Sequence, residues 1–407
     1  MSVRAVTAHV DPTECARRAA PTRVVRWWHP RRTATITTTI ATESPAVSGG
    51  SARAGDAIVA VDANGADMGA VEVAEGVRIA SRQGVRVLLF GPAEEIRALP
   101  PLGSCVEVID APVSVAKSAD PVRAVRSTPE ASVVQASRAV AEGRAQALVC
   151  AGGTGAVLAA GLFNIKRARG IHRPALALAI PIPGPQHAHP VTLLDVGASV
   201  QARSEHLVQF AFMGAAFAKA VLGVERPRVG LLSNGEEPER GSEAVVQAGA
   251  ELQARLGEGD LYWVGNIEGR DIVRGVADVI VTDGFTGNIA LKLIEGVSQT
   301  MLGAVREAAM SSPKAKLGGL LLRAALRAFR DEIDPEASGG AYLLGLRRLG
   351  VVPHGRFTRA GFAQAILRAQ RGAQEDLVGQ THRALEQAGA LRRSPVSAPD
   401  ASLPEAG

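Results

Sequence analysis

From residue 56 onward, short apolar runs alternate with segments of helical periodicity, and this alternation restricts the possible folds of the chain more than any other feature. Runs such as Ala57 to Asp62, Arg86 to Phe90 and Ala147 to Cys150 have the length of strands. Segments such as 130–142 and 204–221 have helical character. Strands alternating with helices indicate a largely parallel sheet covered on both faces. We therefore predict a three-layer α/β/α fold, Rossmann-like.

The ends of the chain differ from this pattern. Residues 1–54 are rich in Arg, Thr and Ala without lasting periodicity, and we expect a disordered extension there, one α/β domain over 55–392 and a disordered tail over 393–407. The first 50 residues hold seven arginines and three acidic residues, which is +4 of the net charge of +5. The remainder is nearly balanced, so the composition argues against a nucleic-acid partner.

Several classes of site and of protein are disfavoured by what the sequence lacks. No apolar run reaches the roughly 18–20 residues that span a bilayer. Gly152–Gly155 is not G-x-G-x-x-G, and no Gly-Lys-Ser/Thr of a phosphate-binding P-loop occurs. The three cysteines have no metal-ligand spacing, and His187 and His189 have no third ligand nearby. We expect neither a metal nor a cofactor.

Glycine together with a small polar side chain follows six of the predicted strands. Glycine permits close backbone approach, while carboxylates, amides and hydroxyls can contact an anion or orient a carbonyl. Because the carboxyl ends of parallel strands meet at one edge of a sheet, we predict that these turns form one ligand site there. The six turns are 62–67, 152–155, 195–198, 233–237, 265–270 and 283–288.

The last of these turns, Asp283 to Asn288, connects a β-rich run to a helical run. The first N–H groups of a helix lack intrahelical partners and the helix dipole favours negative charge, so the turn predicts an anion site. Lys292 lies one helical turn beyond Asn288 on the same face. An ordinary strand-to-helix connection is the alternative.

Taken in order, these motifs resemble the PlsX-type phosphate acyltransferases. The resemblance runs from about Ala57 to Gly372, and it rests on 152–156, 172–176, 193–198, 227–232, 265–271, 283–288 with Leu291 and Lys292, 339–341, and His354-Gly355. It implies transfer of a fatty acyl group from an acyl carrier protein thioester to inorganic phosphate, giving acyl-phosphate for phospholipid (phosphatidic acid) synthesis. It also implies a cytoplasmic homodimer in peripheral contact with an anionic membrane and with a membrane glycerol-phosphate acyltransferase.

The chain departs from the family pattern at three places. Asn64-Gly65-Ala66-Asp67 stands where the family has Met-Gly-Gly-Asp, and Ser233-Asn234 replaces Asn followed by a small aliphatic residue. Gly153 occupies the position of an asparagine, so an amide expected near the phosphate is missing. Asn234 is the candidate to supply an amide from a neighbouring strand.

Attack of phosphate on a thioester needs no enzyme nucleophile, and neither a Ser-His-Asp order nor a G-x-S-x-G motif occurs. Catalysis then consists of positioning the dianion and of donors for the developing oxyanion. The candidate catalytic residues are Lys292, Asn266, His354 and Asp283. The candidate substrate- or phosphate-binding residues are Gly152, Gly153, Thr154, Gly155, Asp195, Asn234, Arg270, Gly287, Asn288 and Asp67.

Other interpretations stay open for these residues. Asp195 and Asp283 can satisfy loop amides, Arg270 can pair with Asp271 or Glu268, and His354 can pack at a helix start. For the whole chain, the alternatives are a coenzyme A-dependent phosphate acetyl- or butyryltransferase and a catalytically weak scaffold that holds carrier protein at the membrane.

The segment from about 301 to 333 predicts a protruding amphipathic helix. Between Lys314 and Ile333, apolar residues at helical spacing oppose a basic side. Such a helix suits an anionic membrane surface, and a core or dimer helix is the alternative. Basic residues there, or near Arg123 and Arg126, can meet the acidic carrier protein.

Overall fold

The computed structural model describes residues 57–184, 189–255 and 261–392. The predictions for 1–54 and 393–407, and His187, lie outside the described residues. The helices and strands up to the middle of the chain are β1 (Ile58–Asp62), α1 (Ala70–Ser81), β2 (Arg86–Gly91), α2 (Ala93–Arg97), β3 (Val106–Asp110), α3 (Pro121–Ser127), α4 (Ser132–Ala141), β4 (Ala147–Cys150), α5 (Thr154–Ala160), β5 (Ala175–Ile180) and β6 (Val191–Leu194).

The second part of the chain contains longer helices. Its elements are α6 (Ser204–Leu222), β7 (Arg228–Leu232), α7 (Glu243–Ala254), β8 (Tyr262–Ile267), β9 (Val279–Val281), α8 (Gly284–Met310), α9 (Pro313–Glu332), β10 (Ala341–Leu344), β11 (Leu349–Val352), α10 (Arg359–Gln374) and α11 (Leu377–Gln387). A π-helical turn, Gly161–Ile165, extends α5, and the 3₁₀ turns Gly269–Arg274 and Pro335–Ser338 follow β8 and α9.

All described strands join one sheet in the order β3-β2-β1-β4-β11-β10-β5-β6-β9-β7-β8. Neighbours from β3 to β11 and from β6 to β8 pair in parallel, with Val61 opposite Val149 and Leu231 opposite Val281. Strand β10 runs antiparallel to β11 and β5, and β5 runs antiparallel to β6. The predicted largely parallel α/β sheet is confirmed.

The three antiparallel pairings make the two parallel blocks point in opposite directions. Strands β1 and β4 therefore end at one edge of the sheet, whereas β6, β7, β8 and β9 end at the opposite edge. The expectation that all six glycine-containing turns share one edge is wrong for this reason. The turns at 62–67 and 152–155 leave one edge of the sheet, and the other four leave the opposite edge.

The core consists of two layers, one on each face of the sheet. Successive strand residues point to opposite faces, so Val59 and Val61 pack on the side of α1, α6 and α10, while Ala60 packs on the side of α4 and α5. The glycine at position 76 brings α1 against α10, because a side chain there would overlap Phe362. The three-layer arrangement is that predicted from the alternation.

Helices α8 and α9 form a hairpin that stands away from these layers. In α8 only Gly284 and Gly287 are buried, and no residue of α9 is buried. Large apolar side chains on both helices are exposed, including Leu293 at 64%, Met301 at 64% and Leu321 at 78%. In the described chain this segment is therefore not a core helix. None of the described helices is both long enough and apolar enough to cross a membrane.

Candidate active site

The glycine turn after β4 is shaped by close backbone approach. Gly152 and Gly153 connect β4 to α5, and Gly153 is the residue before the first helical turn. A Cβ on Gly153 would come closer than 3.0 Å to the carbonyl oxygen of Ala116, which lies in the segment before α3. A Cβ on Gly155 would lie 2.9 Å from Pro121. The turn therefore presents bare backbone, with the first N–H groups of α5 available to an anion.

Side chains behind the turn hold it in place. The buried carboxylate of Asp62 accepts the Cys150 thiol at 2.9 Å and the Asn64 backbone N–H at 3.0 Å. The Asn64 amide donates to Ala111 O and Ser132 Oγ, each at 2.9 Å, and so supports the neighbouring loop. Burial raises the pKa of both Asp62 and Cys150, so the thiol stays protonated and serves as a donor.

The start of α8 is capped by the protein's own carboxylate. Asp283 accepts the Thr286 backbone N–H at 2.9 Å and the Thr286 hydroxyl at 2.7 Å. This is an N-cap contact, so the carboxylate occupies the position where the sequence suggested a bound anion. Gly287 is buried against the Asp195 carbonyl rather than facing a cavity. Asn288 and Lys292, further along α8, line the cavity described below.

Lys292 and His354 meet although they come from opposite sides of the cavity. Lys292 Nζ lies 3.4 Å from His354 Nε2 and forms an ion pair with Glu295 at 2.8 Å. His354 Nδ1 accepts the Arg356 backbone N–H at 3.2 Å, which places the proton of the neutral ring on Nε2. Burial, and then the charge of Lys292, lowers the pKa of His354. The imidazole is therefore a neutral Nε2–H donor near neutral pH.

Asp67 completes this wall of the cavity. Its backbone N–H donates to Gly355 O at 2.8 Å, and its carboxylate lies 3.8 Å from Arg356 Nε. The segment after β1 is thereby fastened to the segment after β11, which carries His354. The strands that bear these segments both pair with β4 and end at the same edge, which explains why the residues meet.

Asp195 is a buried organiser of its own turn. Its Oδ1 accepts backbone N–H groups of Leu176, Gly197 and Ala198 at 2.8–3.1 Å, and its Oδ2 accepts the backbone N–H and the hydroxyl of Ser199 at 2.9 Å. Burial raises the pKa of Asp195, while these hydrogen bonds oppose that change. Gly284 N donates in turn to Ser199 Oγ at 3.1 Å. Asp195 thus positions the start of α8.

Three candidates lie at the ends of β7 and β8, away from the cavity lining. Asn266 donates to Glu237 O at 2.8 Å and to Arg240 O at 3.1 Å, so its amide supports that loop. Arg270 pairs with Glu268 at 3.0 Å and with Glu236 at 3.2 Å, as one interpretation of the sequence allowed. Asn234 is exposed in the same region. These strands end at the edge opposite the glycine turn.

One cavity of about 820 Å³ connects the residues that do come together. Its polar end contains Asp67, Gly152, Gly153, Thr154, Lys292 and His354. From there it crosses the edges of β11 and β10 towards β5, which is about 14 Å at the usual strand spacing. This apolar arm is lined by Leu178, Ile180, Ile182, Leu291, Ile294 and Phe329. Such a cavity can hold a small anion at one end and an aliphatic chain along the other.

Sequence reasoning missed part of this lining. Lys117 lies beside the glycine turn because its segment precedes α3, whose N-cap Asp120 accepts the Arg123 N–H at 3.0 Å. The Asp120-Pro121 pair was a readable helix start, but nothing in the sequence indicated where the loop before it lies. Glu295 was missed because its importance depends only on the contact with Lys292.

The fold and the cavity together define an α/β protein in which a glycine turn adjoins an apolar arm within one cavity. Among solved structures, the chain is similar to a phosphotransacetylase from Streptococcus pyogenes, with a TM-score of 0.52, 16% identity and coverage of 77% of this chain and 93% of that one. It is also similar to EutD phosphotransacetylase from Staphylococcus aureus, with a TM-score of 0.50 and 17% identity. That match covers 78% of this chain and 95% of the other. At these identities the likeness shows the fold alone.

The family is shown by sequence. Residues 57–379 match the model of the family described as fatty acid synthesis protein. Phosphate acyltransferase from Geobacillus sp. (strain WCH70) is 40% identical over 81% of this chain and 98% of its own length. Phosphate acyltransferase from Latilactobacillus sakei subsp. sakei (strain 23K) is 42% identical over 73% of this chain and 88% of its own. The chain belongs to this family, the PlsX family, and is an acyltransferase.

Proposed function

We propose that the protein transfers a fatty acyl group from an acyl carrier protein thioester to inorganic phosphate by direct attack of bound phosphate. The observation that carries the proposal is the single cavity in which the glycine turn, Lys292 and His354 adjoin the apolar arm. To form an acyl-phosphate, the phosphate must reach the acyl carbonyl carbon. In this cavity the polar end and the apolar arm are continuous, so the two groups can meet where the arm joins the polar end.

Phosphate binds at the glycine turn in this proposal. The bare backbone at Gly152 and Gly153, the Thr154 hydroxyl and the first N–H groups of α5 supply donors, while Lys292 and Asn288 approach from α8. A phosphate oxygen attacks the thioester carbonyl carbon, a C–O bond forms, and the C–S bond then breaks. The proton of hydrogenphosphate ends on the sulfur that leaves, so no enzyme nucleophile is consumed. The enzyme contributes alignment.

His354 stabilises the oxyanion that develops on the thioester carbonyl. Its Nε2–H is fixed by the hydrogen bond at Nδ1 and lies beside the Lys292 ammonium. A neutral donor and an adjacent cation, both held in place before the reaction, act most strongly in a site that excludes water. Asp67 and Arg356 fix the segment that carries His354, and they are positioning residues.

The experiment is trapping of acyl-phosphate with hydroxylamine after incubation of purified protein with palmitoyl-carrier protein and phosphate. Lys292→Ala should lower the rate at least about tenfold, the effect of losing one charged contact in the transition state. Arg144→Ala removes an exposed cation at the other end of β4 from the glycine turn, and as the control it should retain the wild-type rate. Equal rates for both variants would place the reaction elsewhere.

The donor is tested in the same assay. Palmitoyl-coenzyme A and acetyl-coenzyme A replace the carrier protein thioester, and the proposal requires a higher kcat/KM with the carrier protein. A preference for acetyl-coenzyme A would favour the coenzyme A-dependent alternative. Absence of product with any of the three donors would favour the scaffold alternative. Arg123 and Arg126, at the exposed side of α3, are the proposed contacts for the acidic carrier protein.

We also propose that the α8–α9 hairpin is covered by a second copy of the chain and by membrane. The exposed stripe Phe285, Ile289, Leu293, Val297 and Met301 recurs every four residues along α8, and we assign it to the homodimer. Leu317, Leu320 and Leu321 on α9, beside basic residues, are assigned to an anionic membrane. There the product would reach a membrane glycerol-phosphate acyltransferase.

These two contacts are separable. Leu293→Glu should convert a dimer into a monomer in light scattering, because it places a charge in an apolar interface. Leu321→Glu should instead abolish flotation with anionic vesicles and leave the mass unchanged. A wild-type protein that is monomeric, or that does not float, would contradict the corresponding assignment.

A further inference from the structure

A second cavity, of about 940 Å³, lies at the amino end of β5, at the edge of the sheet opposite the glycine turn. Among the described residues, none of its lining residues also lines the active-site cavity. Its charged lining consists of four arginines and one glutamate, and two histidines lie among them. These residues are Arg167, His172, Arg173, Arg203, Glu205, His206 and Arg392.

A buried glutamine that does not itself line the cavity joins three segments of the chain that border it. Gln209, on α6, is 1% exposed. Its Oε1 accepts the His172 backbone N–H at 2.8 Å, and its Nε2 donates to Gly170 O at 2.9 Å and to Ala390 O at 2.8 Å. The Arg392 backbone N–H donates to Gly170 O at 2.8 Å. The backbone at His172 and at Arg392 is therefore fixed before any ligand arrives.

The arginine side chains are also partly oriented. Arg167 donates to the His172 carbonyl, and Arg173 donates to Gln201 O at 3.2 Å. Each of these contacts occupies only part of a five-donor guanidinium. Arg203 lies 3.7 Å from Glu205, a long contact that leaves most of its donors available. All four arginines line this one cavity.

The same cluster has a second possible occupant, a metal ion, since His172, Glu205 and His206 offer ligand atoms within 4.8 Å of one another. Two observations oppose a cation. His206 Nδ1 accepts the Arg203 backbone N–H at 3.1 Å, so the proton of the neutral ring is on Nε2 and blocks that nitrogen as a ligand. Four guanidinium groups around the same cavity would also repel a divalent cation.

We propose that this cavity is a second anion site, separate from the active site, which binds the phosphate group of inorganic phosphate or of a phosphate monoester. Guanidinium groups match phosphate oxygens in geometry as well as charge. The His206 Nε2–H adds a neutral donor. The proposal does not depend on the proposed acyltransferase reaction.

The pKa values of the two histidines respond to an anion bound at this site. Burial lowers the pKa of His172 and of His206, and surrounding arginines lower each further, while Glu205 opposes the change. The arginines that act on His172 are Arg392, Arg167 and Arg203, and those that act on His206 are Arg173 and Arg203. A bound dianion would favour the charged imidazoles and raise both pKa values.

The test is an NMR titration of the histidine ring resonances of the full chain with inorganic phosphate and, separately, with phenyl phosphate. We expect the resonances of His172 and His206 to shift saturably and their pKa values to rise. In Lys292→Ala the shifts should persist, because the active site is not involved. In the double variant Arg167→Met/Arg392→Met, binding at this site should weaken at least about tenfold. The exposed Arg144→Met is the matched control and should bind as wild type.

The two probes separate the sources of the phosphate group. Shifts with both probes support a phosphate monoester site, and shifts with inorganic phosphate alone support a site for the free anion. The proposal is overturned if neither probe moves the two resonances, if Arg167→Met/Arg392→Met binds as wild type, or if Zn²⁺ moves them while phosphate does not. A far-UV circular dichroism spectrum like that of the wild type shows that the double variant is folded. Loss of binding is then due to the two missing arginines.

Discussion

Replacing Gly153 by asparagine tests whether this glycine turn has the shape that the cavity requires. The resemblance noted in the sequence places an asparagine at this position, and on that ground Gly153→Asn would restore a phosphate donor. The structure predicts the opposite. The Cβ of any residue at 153 would lie closer than 3.0 Å to the Ala116 carbonyl oxygen, a separation that real Cβ atoms essentially never show.

The expected loss of stability and rate depends on which atom the added Cβ would overlap. The neighbour is backbone rather than the flexible end of a side chain, so either the turn or the segment before α3 must move by several tenths of an ångström. Overpacking of this kind costs about 1–3 kcal/mol of folding free energy. Displacement of a positioning element by about 1 Å costs roughly 100-fold in rate, so we expect kcat/KM to fall by about 10- to 100-fold.

Two control variants separate the clash from the general effect of losing a glycine. At Gly152 an added Cβ would lie 3.1 Å from the Ala116 methyl group and 3.3 Å from Cys150 Sγ, so Gly152→Ala should be milder. At Gly269 nothing lies within 4 Å, and Gly269→Ala should be close to neutral. Thermal denaturation and acyl-phosphate trapping measure the two effects. A Gly153→Asn variant as stable as wild type and more active would refute the argument from close approach.

The remaining predictions concern charge, pH and chain length. Glu295→Gln removes the charge of the partly buried partner of Lys292 at 2.8 Å, so KM for phosphate should fall about two- to fivefold; an increase would contradict a phosphate role for Lys292. The pKa of His354 is lowered in the folded chain, so the unfolded state binds a proton first as pH falls. The free energy of unfolding should therefore decrease below about pH 6.5, and less so in His354→Asn, as measured by urea denaturation at several pH values. Each methylene removed from the acyl donor should lower kcat/KM about fourfold while the apolar arm is being filled; a flat dependence would exclude the arm as the acyl site.

The sequence was sufficient to predict the layers of the fold because local patterns determine them. The predicted strand from Ala147 to Cys150 coincides with β4, and the predicted helix at 204–221 is within one residue of α6. Strands β10 and β11 were missed, because no helix separates them and the alternation that marks the other strands is absent there. Their position at the centre of the sheet is set by pairing with β4 and β5, which no local pattern records.

The missed β10 explains why the predicted site residues do not all come together. Alternating strands and helices imply that all strands run in one direction. Under that assumption all six turns were predicted to lie at one edge of the sheet. The antiparallel pairings of β10 reverse the second block, so Asn266 and Arg270 end up in loop contacts at the opposite edge. Lys292 still reaches the polar end of the cavity, because α8 starts at the far edge and runs back across the sheet.

This reversal also accounts for the composition of the cavity. If both blocks ended at one edge, the site would be enclosed mainly by polar turns. Because the two parallel blocks run in opposite directions, the polar turn after β4 faces helix α8, which crosses the sheet. Strand β5, which consists of apolar residues, lines the space between the turn and the helix. The anion end and the aliphatic arm therefore lie in one cavity. Phe329 of α9 lines the arm, so a partner that moves the α8–α9 hairpin also changes the shape of the arm.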